Sequence, residues 1–232
     1  MIHFTRLAGM IAMGFLLSGL NYCANAQDEK PKKVAIFLYP GVEVLDFAGP
    51  SEVFAASGFD TYTVSADGKD VLSQGFITVR PQYSLENAPV PDIVVFPGGG
   101  AGAPSKNPVL LEWVRKLHER GSILMSVCTG AQILAKAGLL EHKNVTTWHG
   151  FIPDLQTMLP NSVVLANTRY VDNGNIITTA GVSAGIDGAL YLVSRLNGME
   201  AAKKTAFYME YVNWDPGAGR VDVVAEKAKN KP

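Results

Sequence analysis

The chain has 232 residues, a formal net charge of −1 and 47% hydrophobic residues. A nearly neutral chain lacks the excess of Lys and Arg with which proteins bind phosphate backbones, so we expect no nucleic-acid partner. The length suits one well-filled domain and is short for two.

Residues 1–26 have the pattern of a cleavable signal peptide. Arg6 precedes a stretch without charge over residues 7–20, and Ala24-Asn25-Ala26 supplies the small residues that a signal peptidase recognises. That stretch of 14 residues is shorter than the roughly 20 that a bilayer core requires. We therefore expect cleavage after Ala26, no stable membrane insertion afterwards, and a periplasmic or secreted mature protein.

The mature chain alternates apolar strands with helices. Continuous apolar runs over residues 34–39, 92–96 and 123–127 are typical of central strands in a parallel sheet that is covered on both faces. Helical patterns follow the first two, over residues 50–56 and from Pro108 to Gly121 with Asn107 as the cap. This order predicts an α/β fold, a flavodoxin-like doubly wound sheet with helices on both faces.

Two segments interrupt the alternation with hairpin signals. Asn173-Gly174 lies between two short apolar runs and predicts a tight turn. Residues 60–79 are predicted to form another hairpin with its turn at Asp67-Gly68. A helix over residues 183–196 carries one apolar stripe that we expect in the core. The α/β domain is predicted to span residues 27–216, and residues 217–232 to form a C-terminal tail.

Cys128 lies where the third apolar strand meets a helix. The sequence Val127-Cys128-Thr129-Gly130-Ala131 leaves no room for a loop, so the junction must be a sharp elbow. An elbow pushes the side chain out of the sheet, and the amides that follow it lower a thiol pKa and stabilise negative charge. The pattern predicts a cysteine nucleophile, the alternative being a buried cysteine that only packs.

Removal of the leader also removes Cys23, so Cys128 becomes the single cysteine of the mature chain. A lone thiol in an oxidising compartment is either buried or kept for its reactivity. Two further hypotheses follow: an envelope redox or stress sensor that uses Cys128 as an oxidisable thiol, and a binding scaffold without activity.

Two other loops are expected at the same edge of the sheet as Cys128, because ligands bind at the carboxyl ends of parallel strands. The first, residues 41–50, carries Glu43 and Asp46. Desolvation would raise the pKa of Asp46 and let it share a proton with the thiol. The alternatives are that Asp46 caps the helix that follows, or that Glu43 is the partner of the thiol.

The second loop, residues 97–102, is rich in glycine. It lacks the spacing of a nucleotide-binding loop, since no Gly-Lys-Ser/Thr follows. We predict instead that the Gly99 amide approaches the reacting atom and forms an oxyanion hole with the Thr129 amide.

Histidine is a possible general base for the thiol, with His149 and His142 as candidates after the elbow helix. Neither is favoured by spacing alone. One cysteine and four scattered histidines give no pair of ligands at a useful spacing, so no metal is expected. No motif for an organic cofactor is found either.

Four motifs in this order resemble the ThiJ/PfpI superfamily, whose fold is similar to that of class I glutamine amidotransferases. They are Tyr39-Pro40-Gly41 with Leu45-Asp46-Phe47-Ala48-Gly49-Pro50, then Pro97-Gly98-Gly99, then Cys128-Thr129-Gly130-Ala131, and Thr178 to Asp187. The resemblance implies a small-molecule substrate and a homodimer.

The branches of the superfamily differ around the nucleophile. The chain has no late His-x-Glu pair, no histidine directly after Cys128, and Trp148 before His149 where the deglycase and glyoxalase branch has Thr-Thr-His. AraC-like regulators continue into a DNA-binding domain, for which this sequence is too short. The chain most resembles the isonitrile hydratase branch, which implies catalytic roles for Cys128, Asp46 and Thr129 in a lyase; a deglycase-like or glyoxalase-like activity is the alternative.

Overall fold

The computed structural model describes residues 31–222. The predicted leader and the end of the predicted tail lie outside this range. The strands are β1 (Lys33–Leu38), β2 (Asp60–Ser65), β3 (Val71–Ser73), β4 (Ile77–Val79), β5 (Tyr83–Ser84), β6 (Ile93–Phe96), β7 (Ile123–Val127), β8 (Asn144–Thr146), β9 (Val163–Leu165), β10 (Tyr170–Asp172), β11 (Ile176–Thr179) and β12 (Arg220–Val221). The helices are α1 (Val44–Ala56), α2 (Pro108–Glu119), α3 (Ala131–Lys136), α4 (Ile152–Met158), α5 (Ala184–Asn197) and α6 (Met199–Tyr208).

Eight strands form one mostly parallel sheet in the order β12-β10-β11-β7-β6-β1-β2-β5. Among the described strands of this sheet, β10 and β11 are the one antiparallel pair of neighbours. The three apolar runs form β1, β6 and β7 in its centre, where nearly every side chain is buried. Helices α1, α5 and α6 pack against one another, while α2, α3 and α4 form a second group. The flavodoxin-like α/β prediction is confirmed.

Local sequence signals correctly predicted several helices and turns. Asn107 accepts hydrogen bonds from the amides of Val109 and Leu110, and Pro108 begins α2, as the sequence predicts. The Asn173-Gly174 turn joins β10 to β11. The apolar stripe of α5 is buried from Ile186 to Val193.

The segment over residues 60–79 differs from the prediction. Its first strand, β2, pairs in parallel with β1 in the main sheet, and the hairpin is the shorter pair β3 and β4. The turn lies at Gln74-Gly75, both with positive φ, rather than at Asp67-Gly68. A buried parallel partner for β2 outweighs a local hairpin that turn residues alone suggest.

The ends of two predicted segments also differ. Helix α1 begins at Val44 instead of Pro50, because the Glu43 side chain caps it, and Pro50 lies inside the helix. Strand β12 pairs with β10, so the main sheet continues beyond the predicted boundary at residue 216. Within residues 31–222, no helix has the length and hydropathy that a membrane span requires.

The elbow after β7 depends on close packing at Gly130. This residue has ordinary helical backbone angles, φ −56° and ψ −24°, so glycine is not needed there for conformation. A Cβ atom at this position would lie 2.7 Å from the carbonyl oxygen of Pro97 and closer still to that of Phe96. The loop after β6 can therefore approach the elbow only because residue 130 has no side chain.

We expect Gly130→Ala to lower the free energy of unfolding by about 1–3 kcal/mol through overpacking. Helix propensity alone would change the free energy the other way, because alanine is favoured over glycine by about 1 kcal/mol. Urea denaturation shows whether the substitution lowers or raises the free energy of unfolding. Gly102→Ala is the matched control, since a Cβ at residue 102 meets nothing within 4 Å. Equal stability of the two variants would contradict this account of the elbow.

Candidate functional site

Cys128 lies directly after β7 and begins a 3₁₀ turn, Cys128–Gly130, that continues into α3. Its φ of +58° lies in the left-handed region, which costs a residue with a side chain of the order of 1–3 kcal/mol. Two hydrogen bonds hold the backbone there. The Cys128 amide donates to the carbonyl of Ala180 at 3.1 Å, and its carbonyl accepts from the Thr147 hydroxyl at 2.7 Å.

The thiol of Cys128 is not the low-pKa group that the elbow alone predicts. Burial, together with the nearby negative charges of Asp46 and Glu43, raises its pKa to about 12, although a hydrogen bond from the Thr129 amide acts in the opposite direction. The residue is only 6% exposed. Desolvation of the thiolate therefore outweighs the favourable amide.

Asp46 lies in the first turn of α1 and is fully buried. One carboxylate oxygen, Oδ2, accepts from the Gly98 amide at 2.8 Å. The other, Oδ1, accepts from the Val182 amide at 3.0 Å. Burial raises the pKa of this carboxyl group to about 7 against the effect of the two amides, and Glu43 raises it further.

Asp46 lies close enough to Cys128 to affect its thiol. The charge of the Asp46 carboxylate and a hydrogen bond to it are among the causes that raise the pKa of the thiol. The two groups therefore form a pair in which the carboxyl group titrates near neutral pH and the sulfur holds its proton. Such a pair can move a proton between oxygen, sulfur and a bound molecule.

Glu43, and not Asp46, caps α1. Its Oε2 accepts from the Asp46 amide at 2.9 Å, and its own amide donates to the carbonyl of Gly98 at 3.0 Å. The sequence left open whether Asp46 caps the helix or faces the thiol. In the structure these two roles belong to two different acids. Glu43 holds the helix end and adds negative charge, while Asp46 occupies the site.

The glycine loop lies directly over the cysteine. A Cβ atom on Gly98 would be 2.7 Å from the Cβ of Cys128 and equally close to the amide nitrogen of Thr129. The Gly98 amide binds Asp46, and the Gly100 amide donates to Gly41 at 2.9 Å. Gly99 is exposed, with φ +90°. No hydrogen bond within residues 31–222 uses its amide, so this donor of the predicted oxyanion hole is left for a ligand.

Thr129 contacts the same loop through its side chain. Its hydroxyl donates to the carbonyl of Gly99 at 3.2 Å, and its amide acts to lower the pKa of the Cys128 thiol. The residue thereby fixes the distance between the elbow and the loop.

Tyr39 is a site residue that the sequence analysis missed as a functional group. Its hydroxyl donates to the carbonyls of Pro97 and Gly98 at 2.6 and 2.7 Å. Burial, with the charges of Asp46 and Cys128, raises the pKa of this phenol. A tyrosine just after a central strand, at the carboxyl edge of the sheet, was the signal available in the sequence.

The histidine candidates do not join the pair. His149 is exposed in the 3₁₀ turn His149–Phe151, with its ring 4.9 Å from that of Trp148. It is not among the groups that shift the pKa of Cys128. His142 is also exposed. Among residues 31–222, no cluster of His, Cys, Asp and Glu side chains could hold a metal ion.

Known proteins share this architecture. The sequence profile described as the DJ-1/PfpI family matches residues 32–195. Isonitrile hydratase from Pseudomonas putida is 32% identical over 189 residues, which cover 79% of this chain and 80% of that protein. Protein DJ-1alpha from Drosophila melanogaster is 30% identical over 191 residues, covering 79% and 86%.

A solved structure agrees with these sequence matches. The crystal structure of a THiJ/PfpI family protein from Pseudomonas syringae superposes with a TM-score of 0.72 at 28% identity, covering 81% of this chain and 77% of that one. The family profile spans well over half of the chain, and the positions of Asp46, Gly98 and Cys128 all lie inside it. The resemblance read from the four motifs is confirmed, and this protein is a member of the DJ-1/PfpI family.

Proposed function

We propose that this protein is a cysteine-dependent hydratase that converts a small isonitrile into an N-substituted formamide. The observation that carries the proposal is the buried pair of Asp46 and Cys128, in which the carboxyl group has a pKa near 7 and the sulfur keeps its proton. The similarity to an isonitrile hydratase over most of both chains supports this substrate class.

The reaction is an addition in two stages. The Cys128 sulfur forms a bond to the terminal carbon of R–N≡C, while the thiol proton passes through Asp46 to that same carbon. This yields a thioimidate, R–N=CH–S–Cys128. Water then adds its oxygen to the carbon and a proton to the nitrogen. Cleavage of the C–S bond releases R–NH–CHO, and the hydroxyl proton of that adduct returns to the sulfur.

The amides of Gly99 and Thr129 stabilise negative charge during these steps. Charge develops on the nitrogen and sulfur as bonds form and break, and fixed amides act on it without reorganisation. Thr129 also orients the elbow, because its hydroxyl holds the carbonyl of Gly99. This arrangement needs neither a metal nor an organic cofactor.

The raised thiol pKa favours a neutral substrate over a sensing role. A redox sensor reacts as a thiolate, which a pKa of about 12 keeps scarce at neutral pH. In the isonitrile reaction the S–H proton is transferred to the substrate, so no resting thiolate is required. A deglycase-like or glyoxalase-like activity remains the second candidate within the same site, since thiol addition to a carbonyl uses the same pair.

We further propose that the mature protein starts after Ala26 and acts in the periplasm or outside the cell as a homodimer. The support for export is the leader pattern in the sequence. Mass spectrometry of the protein isolated from the envelope fraction tests the cleavage site. Light scattering of the mature chain tests the dimer, and a monomer mass would contradict that part.

We expect Cys128→Ala to abolish hydration of simple isonitriles, because the carbon then has no nucleophile. Asp46→Asn should lower kcat by about 10²–10⁴-fold, the range for loss of a general acid. Both effects are measured as the rate of formamide formation, which chromatography quantifies in assays of the mature chain, residues 27–232. Full activity of the cysteine variant would contradict the mechanism.

Glu52→Gln is the matched control for Asp46→Asn. It removes a carboxylate from the same helix, but Glu52 is exposed and lies outside the site. Its activity should equal that of the unchanged protein. Comparable loss in both variants would mean that helix charge, and not the buried pair, supports the reaction.

Alkylation of Cys128 by iodoacetamide should accelerate about tenfold per pH unit from pH 7 to 10 without a plateau, because the reactive thiolate increases in that proportion below the thiol pKa. Asp46→Asn should react faster than the unchanged protein at each pH, since the carboxylate charge raises the pKa of the thiol. Intact-protein mass spectrometry at successive times measures the alkylation rate of the mature chain, whose one cysteine is Cys128.

A rate that levels off near pH 7 would contradict the buried, protonated thiol. It would favour the sensor hypothesis in its place, because it indicates a stable thiolate. The Glu52→Gln variant again serves as the control and should give the same profile as the unchanged protein.

A further inference from the structure

A cavity of about 470 Å³ adjoins the Cys128 site and takes no part in the mechanism above. Its size falls in the range of small-molecule pockets. Three of its lining residues bind the site directly: Thr147 donates to the Cys128 carbonyl, Ala180 accepts from the Cys128 amide, and Val182 donates to Asp46. The cavity and the reacting pair therefore share one wall of backbone.

The indole of Trp148 forms an apolar wall of this cavity. The residue is 38% exposed. A Cβ atom on Gly181 would lie 2.5 Å from Cδ1 of the indole, and one on Gly150 would overlap its six-membered ring. Because both glycines lack a side chain, the indole lies against backbone at both positions. A planar group of a ligand can stack on such a fixed ring.

Arg169 is another of the residues that line this cavity. Its Nε and Nη2 bind Oδ2 of the buried Asp187, both at 2.5 Å, and Nη2 also donates to Ser183 at 3.1 Å. Tyr211 donates to the other oxygen of Asp187 at 3.1 Å. These contacts hold the guanidinium in place. Within residues 31–222, no hydrogen bond uses its Nη1 group.

The residues that line the cavity favour a ligand that accepts hydrogen bonds. No carboxylate is among the residues that line the cavity, which are Thr146, Thr147, Trp148, His149, Ile152, Leu165, Asn167, Thr168, Arg169, Ala180, Gly181 and Val182. Asp187 balances the charge of Arg169, while the contacts to Asp187 and Ser183 use Nε and Nη2 rather than Nη1. Arginine binds carboxylates well, because its N–H groups are rigidly arranged and always charged.

We propose that this cavity receives the R group of the substrate and prefers a planar group that ends in a carboxylate. The plane stacks on Trp148, and the carboxylate accepts hydrogen bonds from Nη1 of Arg169. The inference rests on the proposed function for the identity of the reacting group. It makes Trp148 and Arg169 the residues that determine specificity.

Binding can be measured without turnover in the Cys128→Ala protein, with 4-formamidobenzoate and its neutral analogue formanilide as probes. We expect the carboxylate to bind at least about tenfold more tightly by calorimetry, since a hydrogen bond between charged groups is worth that much. Both probes should quench the fluorescence of Trp148. Quenching should persist in a Trp113→Phe variant and disappear in Trp148→Phe.

Arg169→Lys keeps the positive charge but removes the Nη1 donors, so the preference for the carboxylate should fall below about threefold. Equal affinity of the two probes in the Cys128→Ala protein would overturn the proposal, even if the lysine variant fails to fold. An unchanged preference in a folded Arg169→Lys protein would overturn the role of that residue.

Turnover separates this inference from the function on which it rests. With the unchanged protein, kcat/KM for 4-isocyanobenzoate should exceed that for phenyl isocyanide by about the same factor as the binding preference. If the carboxylate probe binds preferentially but neither isonitrile is hydrated, the proposed reaction fails and the carboxylate pocket stands. If both isonitriles react equally well and the probes bind equally, the reaction stands and the pocket assignment fails.

Discussion

The buried carboxylate of Asp46 is the interaction on which the site depends. It joins three strand ends, because it belongs to the helix after β1 and accepts hydrogen bonds from backbone amides in the loops after β6 and β11. A buried carboxylate without such partners costs several kcal/mol. The two amides reduce this penalty, and in doing so they place the loops of Gly98 and Val182 around the sulfur of Cys128.

The same burial decides the acid–base character of the site. Backbone amides favour the charged forms of both groups, but loss of water outweighs them for the carboxyl group and for the thiol. Each negative charge also disfavours the other, so the pair resists holding two charges at once. The result is a pair in which the carboxyl group titrates near neutral pH while the sulfur keeps its proton.

Local signals in the sequence predicted a large part of the fold and of the site. The three central strands, the Asn107 cap and the Cys128 elbow each depend on a few adjacent residues, so their patterns are legible without the tertiary structure. The fold of residues 60–79 was only partly predictable. Its first strand is decided by pairing with β1, a contact that turn residues do not encode.

The partners of Asp46 could not be read from the sequence for a related reason. The bond from the Val182 amide joins residues 136 positions apart, and nothing near either residue signals the other. The division of roles between Glu43 and Asp46 was equally hidden, since both acids precede the same helix. Only the register of α1 decides which carboxylate points inward, and that register depends on which acid caps the helix.

Strained backbone occurs at two residues that contact or face the Asp46 carboxylate. Cys128 and Val182 both have positive φ, +58° and +54°, although neither is glycine and valine is β-branched, which makes this region especially unfavourable. The two residues lie on neighbouring strand ends, after β7 and β11. At Val182 the unusual backbone accompanies an amide that donates to Asp46, and at Cys128 it accompanies a side chain that faces the same acid. Both strained conformations therefore lie at residues that interact with the Asp46 carboxylate. Close packing of Gly98 against Cys128 and Thr129, and of Gly130 against the loop after β6, accompanies the strain at the elbow.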